Sequence, residues 1–257
     1  VNFHEAVEHC IELVGIDPEK LEEEAANLDF SNNPSKDEIY RRKREANKRK
    51  GVTRDRVRSS LSMPAKYYLN RGYSESVLDE FDVGVCDNPN KPMHDRVVVP
   101  VYDDDFENYV GCVGRVMHEN YNGRKWVNEK KFNTGVWLYG YWLSKPFVKS
   151  SKSVILVEGQ GDVWRLWEAG IKNVVGIFGC TLTDAQARIL ETSGAMNIVL
   201  LTDSDEAGQK GRKSIRKKCE RVFNIVEVEL PTKDVGELTV KEIEENIKPK
   251  IKDYIND

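Results

Sequence analysis

Acidic side chains follow two apolar runs in the second half of the chain, a position that suits metal-dependent chemistry. Glu158 comes directly after VILV, and Asp203 and Asp205 come just after NIVLLT. Such runs predict buried β-strands, and helical segments between them predict a parallel sheet. Because ligands collect at the carboxyl ends of parallel strands, we expect the three carboxylates to converge there. They would repel one another unless cations neutralised them, so the pattern predicts a divalent-metal site for phosphate chemistry.

The residues after Glu158 leave room for a ligand. Gly159 and Gly161 let the backbone and a bound group approach closely where the chain leaves the strand. Asp162 begins the next predicted helix, where it either caps that helix or adds a carboxylate to the site. Taken alone, Glu158 is equally consistent with a solvated acid at a strand end.

Asp203 and Asp205 carry more information because side chains two residues apart in an extended segment point to the same side. Two carboxylates so placed bind one cation or bridge two; alternatively, Asp205 only caps the basic helix that follows. Asp234, in PTKDVGEL, is either another acid at this edge or a turn residue. Two metal ions about 3.5–4 Å apart hold the attacking and leaving oxygens of a displacement at phosphorus. Magnesium suits such a site because it binds few carboxylates and keeps water and phosphate ligands.

Composition excludes several classes of protein. The 257 residues contain 39% hydrophobic residues and five Trp, enough for a core, and no apolar stretch approaches the roughly 18 residues of a membrane span. Five cysteines without a CxxC pair predict reduced thiols in a cytoplasmic protein. The four histidines show no zinc-ligand spacing relative to the cysteines, so we expect no zinc in this segment. Because the chain begins with Val, we expect a fragment of a longer protein.

Charge is segregated along the chain although the net charge is only −4. Basic residues concentrate in 41–58 and 210–221, and acidic residues concentrate in 19–29, 102–107 and the C-terminal tail. Basic segments in an acidic chain suit a protein that binds phosphates locally. The alternative is that these segments are solvated helix faces.

The periodicity predicts an α/β protein with an α+β N-terminal subdomain and a parallel-sheet domain with flanking helices. We expect a helix over 2–14, a loop over 28–38, an exposed helix or linker in the basic block, and a helical stretch over 62–80 broken by Gly72. Four short strands of a mixed or antiparallel sheet follow before residue 142. Further strands are predicted at 154–157, 173–178, 197–202 and 224–230, with helices near 161–169, 183–192, 206–221 and 239–255. The predicted domains are 1–60, 61–150, 151–236 and 237–257.

Ordered motifs then resemble a known family. VEGQGD, LLTDSDEAG and KDVGEL resemble the Toprim fold of bacterial-type primases, topoisomerases and some nucleases. YLNRGYSESVLDEFDVG, DRVVVPVYD, GCVGRV, KWVN and WLYG resemble successive signatures of the DnaG-type primase RNA polymerase domain, and NFHEAVEHCIELVGI is similar to the helix after the zinc-binding domain of that family. The match covers nearly all of residues 1–238. The short connection between Asn128 and Phe132 suggests a compact, phage-encoded member.

The resemblance implies roles for particular residues. The metal ligands would be Glu158, Asp203, Asp205 and Asp234, of which the first three are also the catalytic residues. Arg96 and Arg115 would face the active-site cleft, and Lys125 and Asn128 would contact template or nucleotide; a structural ion pair is the alternative for either arginine. The chain departs from the family pattern at two positions. Gly236 stands where the family has an acid, which bears on the second metal site, and Thr134 stands where many members have Lys, which bears on one phosphate contact.

The implied function is that of a primase core that joins ribonucleoside triphosphates into short RNA primers on single-stranded DNA. Mg²⁺ or Mn²⁺ would be the cofactor, and a replicative helicase would be the partner of the full-length protein. Two alternatives use the same residues. One is a Toprim nuclease that hydrolyses phosphodiesters, and the other is a non-catalytic, DNA-binding Toprim module.

Overall fold

The computed structural model describes residues 34–118 and 121–255. Its contacts divide the chain into two units, residues 1–39 and residues 40–257. Only residues 34–39 of the first unit are described, and the first helix begins among them, at Lys36. The helix expected over 2–14 lies outside the described residues. None of the helices in the described part is long and apolar enough to cross a membrane.

The described helices and strands follow the predicted order. The helices are α1 Lys36–Asn47, α2 Arg54–Arg58, α3 Lys66–Leu69, α4 Glu75–Glu80, α5 Tyr141–Ser151, α6 Gln160–Glu168, α7 Asp184–Thr192, α8 Glu206–Cys219, α9 Val240–Asn246 and α10 Lys248–Ile251, with 3₁₀ turns at Thr134–Val136, Val235–Glu237 and Lys252–Tyr254. The strands are β1 Gly84–Val85, β2 Arg96–Tyr102, β3 Tyr109–Val116, β4 Trp126–Asn128, β5 Ser153–Val157, β6 Val174–Gly176, β7 Asn197–Leu200 and β8 Asn224–Glu227. The predicted α/β class is confirmed.

The first sheet is antiparallel, with strand order β1-β2-β3-β4. Its central strands are Val-rich and buried along most of their length, which suits the pleated surface of a sheet. The register aligns Arg115 on β3 with Trp126 on β4. Neighbouring strands thereby bring a guanidinium and an exposed aromatic ring together.

The second sheet is parallel, with strand order β6-β5-β7-β8. β5 is completely buried, as expected of a strand covered by helices on both faces. Because β5 and β7 are neighbours, with Leu156 aligned with Leu200, their carboxyl ends meet at one edge. This edge is where Glu158 and Asp203 leave the sheet.

One hydrophobic core joins the two sheets. Phe81 from the first half packs on Tyr139 at 5.7 Å and on Trp167 of α6 at 5.3 Å between ring centroids. Backbone hydrogen bonds also link Tyr139 and Gly176, at 2.8 and 3.0 Å. This shared core fixes the antiparallel half against the edge of the parallel sheet.

The structure differs from the sequence prediction in local detail. The stretch 62–80 forms two short helices, α3 and α4, and Gly72 between them has a positive φ of 81°, which explains the break. Helix α1 begins at Lys36, inside the expected loop. The strand predicted over 173–178 ends at Gly176, and Phe178 has a positive φ of 61° that no strand residue adopts.

Candidate active site

Carboxylates from two strands meet in a cavity of about 970 Å³ at the edge of the parallel sheet. The backbone N–H of Asp203 donates a hydrogen bond to Glu158 Oε1 at 3.2 Å. Asp162 and Asp234 line the same cavity. The structure therefore brings together four acids that are separated in sequence.

Asp162 connects two turns that carry other acids. Its Oδ2 accepts a hydrogen bond from Gly159 N, and its Oδ1 accepts one from Gly236 N, both at 2.9 Å. The side chain thus holds the turn after Glu158 against the turn after Asp234. Asp162 is 8% exposed, so these bonds are shielded from water. Asp162 thus caps the helix, and its side chain also lies in the cavity with the other acids.

Asp234 and Asp205 both cap helices, with different positions relative to the cavity. Asp234 Oδ1 accepts a hydrogen bond from Glu237 N at 3.0 Å, and its side chain lines the cavity. Asp205 is the N-cap of α8, with Oδ1 accepting from Gly208 N at 3.0 Å, and it is not among the lining residues. Its carboxylate lies near enough to Glu158 and Asp203 to raise the pKa of both.

Glycine lets α8 begin directly beside the acids. A Cβ placed at Gly208 would lie 2.2 Å from the carbonyl oxygen of Asp203, closer than real Cβ atoms approach. The tight turn from β7 into α8 therefore requires glycine at this position. Arg212, one turn further along, donates to the hydroxyl and the carbonyl oxygen of Thr202, each at 3.2 Å, and secures the same turn.

The acids raise one another's pKa. Burial, followed by the charges of Glu158, Asp234 and Asp205, raises the pKa of Asp203 to about 7. Burial also raises the pKa of Asp162 to about 7, opposed by the Gly159 hydrogen bond and supported by the charges of Asp234 and Asp203. The pKa values of Glu158 and Asp234 are raised as well, with burial as the largest cause. Such mutual repulsion is what a bound cation relieves.

The donor chemistry fits a hard divalent cation. Within the described ranges, no basic side chain forms an ion pair with Glu158, Asp203 or Asp234. The neighbouring Asp205 does have such a contact, from Lys233 Nζ to its Oδ2 at 3.8 Å. Also within those ranges, no three His, Cys, Asp or Glu side chains are grouped closely enough to hold a metal ion. The arrangement fits a cation bound through one or two carboxylates that retains water, which is the preference of Mg²⁺.

Another part of the cavity lining is basic and aromatic. Arg115 Nε donates to Tyr67 Oη at 3.0 Å, and its guanidinium carbon lies 5.4 Å from the ring centroids of both Tyr67 and Trp126. Trp126 is 36% exposed and lines the cavity together with Arg115 and Asn128. A guanidinium held between aromatic rings keeps donors free for phosphate, and an exposed indole offers a surface on which a base can stack.

Two predicted basic residues lie elsewhere. Lys125 lines a neighbouring cavity of about 280 Å³, which it shares with Arg71 and Arg115. Arg96 does not line either cavity; its guanidinium lies 5.3 Å from the ring centroid of Tyr121 and donates to Tyr121 Oη at 3.1 Å. The structure thus places Arg115 and Asn128 with the acids, and Lys125 and Arg96 away from them.

Sequence reasoning missed other residues that line the acidic cavity. They include Tyr68, Arg71, Tyr73 and Arg165. Arg71 and Tyr73 stand in the RGY of a quoted motif, but nothing in their spacing relates them to strand ends about ninety residues later. Thr134 and Gly236, the two departures from the family pattern, also line this cavity.

Comparisons with known proteins identify the fold. The Toprim domain family matches residues 152–228, the segment that contains Glu158, Asp203 and the parallel sheet. The Aquifex aeolicus primase structure that contains zinc-binding and RNA polymerase domains superposes with a TM-score of 0.60 and 24% identity, over 98% of this chain and 66% of that one. The chain has the fold of a DnaG-type primase core. The resemblance predicted from the motifs is confirmed, and the phage origin stays a prediction.

Two further comparisons agree. A DnaG primase catalytic domain whose structure contains bound single-stranded DNA matches with a TM-score of 0.60 and 20% identity, over 84% of this chain and 78% of that one. The DNA primase of Helicobacter pylori is 35% identical over 147 residues, which cover 54% of this chain and 26% of the relative. The chain therefore matches about a quarter of the length of this curated relative.

Proposed function

We propose that this chain is the catalytic core of a DNA primase, a DNA-directed RNA polymerase that makes short RNA primers for replication. The observation that carries the proposal is the shared cavity: the carboxylates of Glu158, Asp203 and Asp234 line it together with Arg115, Trp126 and Asn128. Such a cavity accommodates a nucleotide between a cation-binding surface and a base-stacking surface. The primase-type fold and the DNA primase relatives support this assignment.

In the proposed reaction, a primer 3′-hydroxyl attacks the α-phosphate of a ribonucleoside triphosphate and pyrophosphate leaves. Glu158 and Asp203 would hold Mg²⁺ or Mn²⁺, with Asp234 and Asp205 near enough to contribute their charges. When bound, the cation neutralises charge that develops on the phosphate and lowers the pKa of the attacking hydroxyl. Asp162 and Arg212 hold the turns that carry the acids, which fixes their separation before substrate arrives.

The basic and aromatic part of the lining would position the nucleic acid and the nucleotide. Arg115 would donate to phosphate oxygens, Asn128 would bond a base or sugar, and Trp126 would stack on a base. Lys125 and Arg96, which lie beyond the cavity, would extend the basic surface along a single-stranded template. One structural neighbour contains bound single-stranded DNA, which supports single-stranded DNA as the partner of this chain. We expect the full-length protein to work with a replicative helicase.

Primer synthesis by this chain tests the proposal. The purified protein is incubated with single-stranded DNA, labelled ribonucleoside triphosphates and Mg²⁺ or Mn²⁺. We expect short RNA products whose yield falls by about 100-fold or more in Asp203→Asn, because a carboxylate that would hold the cation is removed. Glu220→Gln is the matched control, since Glu220 is an exposed acid at the end of α8.

The products distinguish the alternatives. Metal-dependent degradation of the template without RNA synthesis would indicate the Toprim nuclease. Tight binding of single-stranded DNA without either product would indicate the non-catalytic module. Either result would contradict the primase assignment.

A further inference from the structure

Tyr73 places a fixed ring at the border of the acidic cavity. The residue is 8% exposed, and its ring meets Tyr68 and Trp164 edge-on, each at 5.6 Å between centroids. The guanidinium carbon of Arg165 lies 4.3 Å from the Tyr73 ring centroid. Contacts on several sides therefore leave the ring little freedom, and its hydroxyl has a defined position.

The Tyr73 hydroxyl has no hydrogen-bond partner among residues 34–118 and 121–255, although the side chain lines the cavity. Two tyrosines of the same half are bonded elsewhere: the buried Tyr102 donates to Asp82 at 2.7 Å, and the half-buried Tyr109 donates to Glu129 at 2.6 Å. The hydroxyl is not among the fully buried polar atoms that lack a partner in the described residues, so it is open to the cavity. Its placement at a cavity wall points to a ligand that supplies the missing partner.

Two glycines make room for this hydroxyl. A Cβ at Gly161 would lie 2.8 Å from Tyr73 Oη, and a Cβ at Gly236 would lie 3.2 Å from it. Both glycines belong to the turns that Asp162 ties together. Carboxylate oxygens of Asp162 and Asp234 lie 3.1 and 3.2 Å from the same Cβ position at 236, so the hydroxyl lies beside the acids at the place where this chain departs from the acid of the family pattern.

The hydroxyl also lies where the acidic and basic parts of the cavity meet. Burial, and then the charge of Asp162, raises the pKa of Tyr73 to about 12, while Arg165 and Arg71 act in the opposite direction and Asp234 adds to the increase. The phenol is thus protonated at neutral pH and able to donate. A polyphosphate that bridges cation-binding carboxylates and arginines passes this point.

We propose that the Tyr73 hydroxyl donates a hydrogen bond to a phosphate oxygen of the nucleoside triphosphate bound in this cavity. This assignment rests on the proposed function, because it takes the cavity to be the nucleotide site. Tyr73 is then a substrate-binding residue contributed by the antiparallel half of the molecule to a site built mainly on the parallel sheet.

Tyr73→Phe removes the hydroxyl and keeps the ring that packs on Tyr68 and Trp164. Affinity for a non-hydrolysable ATP analogue with Mg²⁺ is measured by calorimetry, and steady-state primer synthesis gives KM and kcat. A hydrogen bond to a charged phosphate is worth about 1.5–3 kcal/mol, so we expect Kd and KM to rise by about tenfold or more. We expect kcat within about twofold of wild type, because the contact is already present in the ground state.

Inorganic tripolyphosphate with Mg²⁺ identifies which part of the nucleotide Tyr73 contacts. We expect Tyr73→Phe to weaken tripolyphosphate binding by the same factor as binding of the analogue. Loss of affinity for the analogue alone would overturn the phosphate assignment. Unchanged affinity for both probes would overturn the contact altogether.

Tyr102→Phe is the matched control, since Tyr102 is a buried tyrosine that bonds Asp82 and does not line the cavity. It removes a hydroxyl at a structural position, so we expect lower thermal stability and wild-type nucleotide affinity. Failure of the primase proposal is recognised separately, by the absence of primers from the wild-type protein. Nucleotide binding remains measurable in that case and still tests Tyr73.

Discussion

Glu158 Oε1 accepts a hydrogen bond from the backbone N–H of Asp203 at 3.2 Å, so the ends of β5 and β7 are joined at the point where the two acids emerge. This bond orients the Glu158 carboxylate towards the cavity edge that Asp203 shares. Burial is the largest cause of the raised pKa of both groups; the charge of Glu158 adds to the increase for Asp203, whereas the bond itself lowers the pKa of Glu158. The arrangement is unfavourable for the protein alone and favourable for a cation.

Stability without divalent cations is expected to decrease as pH rises towards neutrality. Asp203 and Asp162 have pKa values of about 7 in the fold, raised mainly by burial from an ordinary value of 3.8. From about pH 4 to 7 the folded state therefore holds protons that the unfolded chain has released, so each unit of pH lowers the free energy of unfolding. Above about pH 7 this contribution is fully lost.

Thermal melts with chelator at pH 5 and pH 8 measure this effect. We expect the wild type to lose more stability between these values than Asp203→Asn, whose amide does not titrate. We also expect Mg²⁺ to raise Tm more at pH 8 than at pH 5, because the carboxylates are then ionised and bind the cation only in the folded state. If the two proteins lost equal stability between pH 5 and pH 8, the raised pKa of Asp203 would be contradicted.

Gly208→Ala is expected to damage the site even though alanine favours helices. In an ordinary helix the change stabilises by about 1 kcal/mol. Here the new Cβ would meet the Asp203 carbonyl oxygen at 2.2 Å, so α8 or Asp203 must move. We expect a lower midpoint in urea and a loss of primer synthesis; Ser214→Ala, at an exposed position of the same helix, controls for helix propensity. A midpoint above wild type would show that the contact is relieved without cost.

Trp126→Ala is expected to weaken binding of single-stranded DNA by about 1–3 kcal/mol, the range for loss of a base-stacking aromatic. Phe147→Ala is the matched control, because both rings are 36% exposed and Phe147 lies on α5, outside the cavity wall. Fluorescence anisotropy with a labelled oligonucleotide at fixed salt measures both variants. Equal affinities would remove Trp126 from the proposed interface.

Asp82 anchors the basic segment to the first half of the molecule. Its buried carboxylate accepts hydrogen bonds from Arg54 at 2.8 and 2.9 Å, from Arg58, and from Tyr102 at 2.7 Å. Asp82→Asn tolerates the positive φ of 57° at this position and removes the charge, so we expect a loss of about 3 kcal/mol in the free energy of unfolding.

Asp79→Asn is the control for this anchor, because Asp79 bonds Arg58 through a side chain that is 56% exposed. Exposed ion pairs contribute little, so we expect a loss of less than about 1 kcal/mol. Urea unfolding measures both variants. Equal losses for the two variants would show that burial of Asp82 contributes nothing.

The strands and the acidic edge were predictable because they depend on local pattern. Apolar runs that end in Glu158 and Asp203 predict strand ends, and βα alternation predicts that those ends share an edge. The capping role of Asp205 was one of two predicted roles, because a basic helix follows this residue directly. These features require no knowledge of which distant segments meet.

Contacts between distant segments were not predictable in this way. Tyr73 reaches the turns of Gly161 and Gly236 only because the shared aromatic core packs the two halves together. Arg96 was expected in the cleft, but its position at the first residue of β2 brings it to Tyr121. The domain boundaries and the roles of the individual site residues stay predictions.

Cation binding between the strand ends tests the central claim most directly. Crystals soaked in Mn²⁺ are measured at a wavelength where manganese scatters anomalously, for the wild type and for Asp203→Asn. We predict an anomalous peak in the cavity in contact with the carboxylates of Glu158 and Asp203 in the wild type, and its loss in the variant. Manganese bound only outside this cavity, or bound there equally in the variant, would contradict the account.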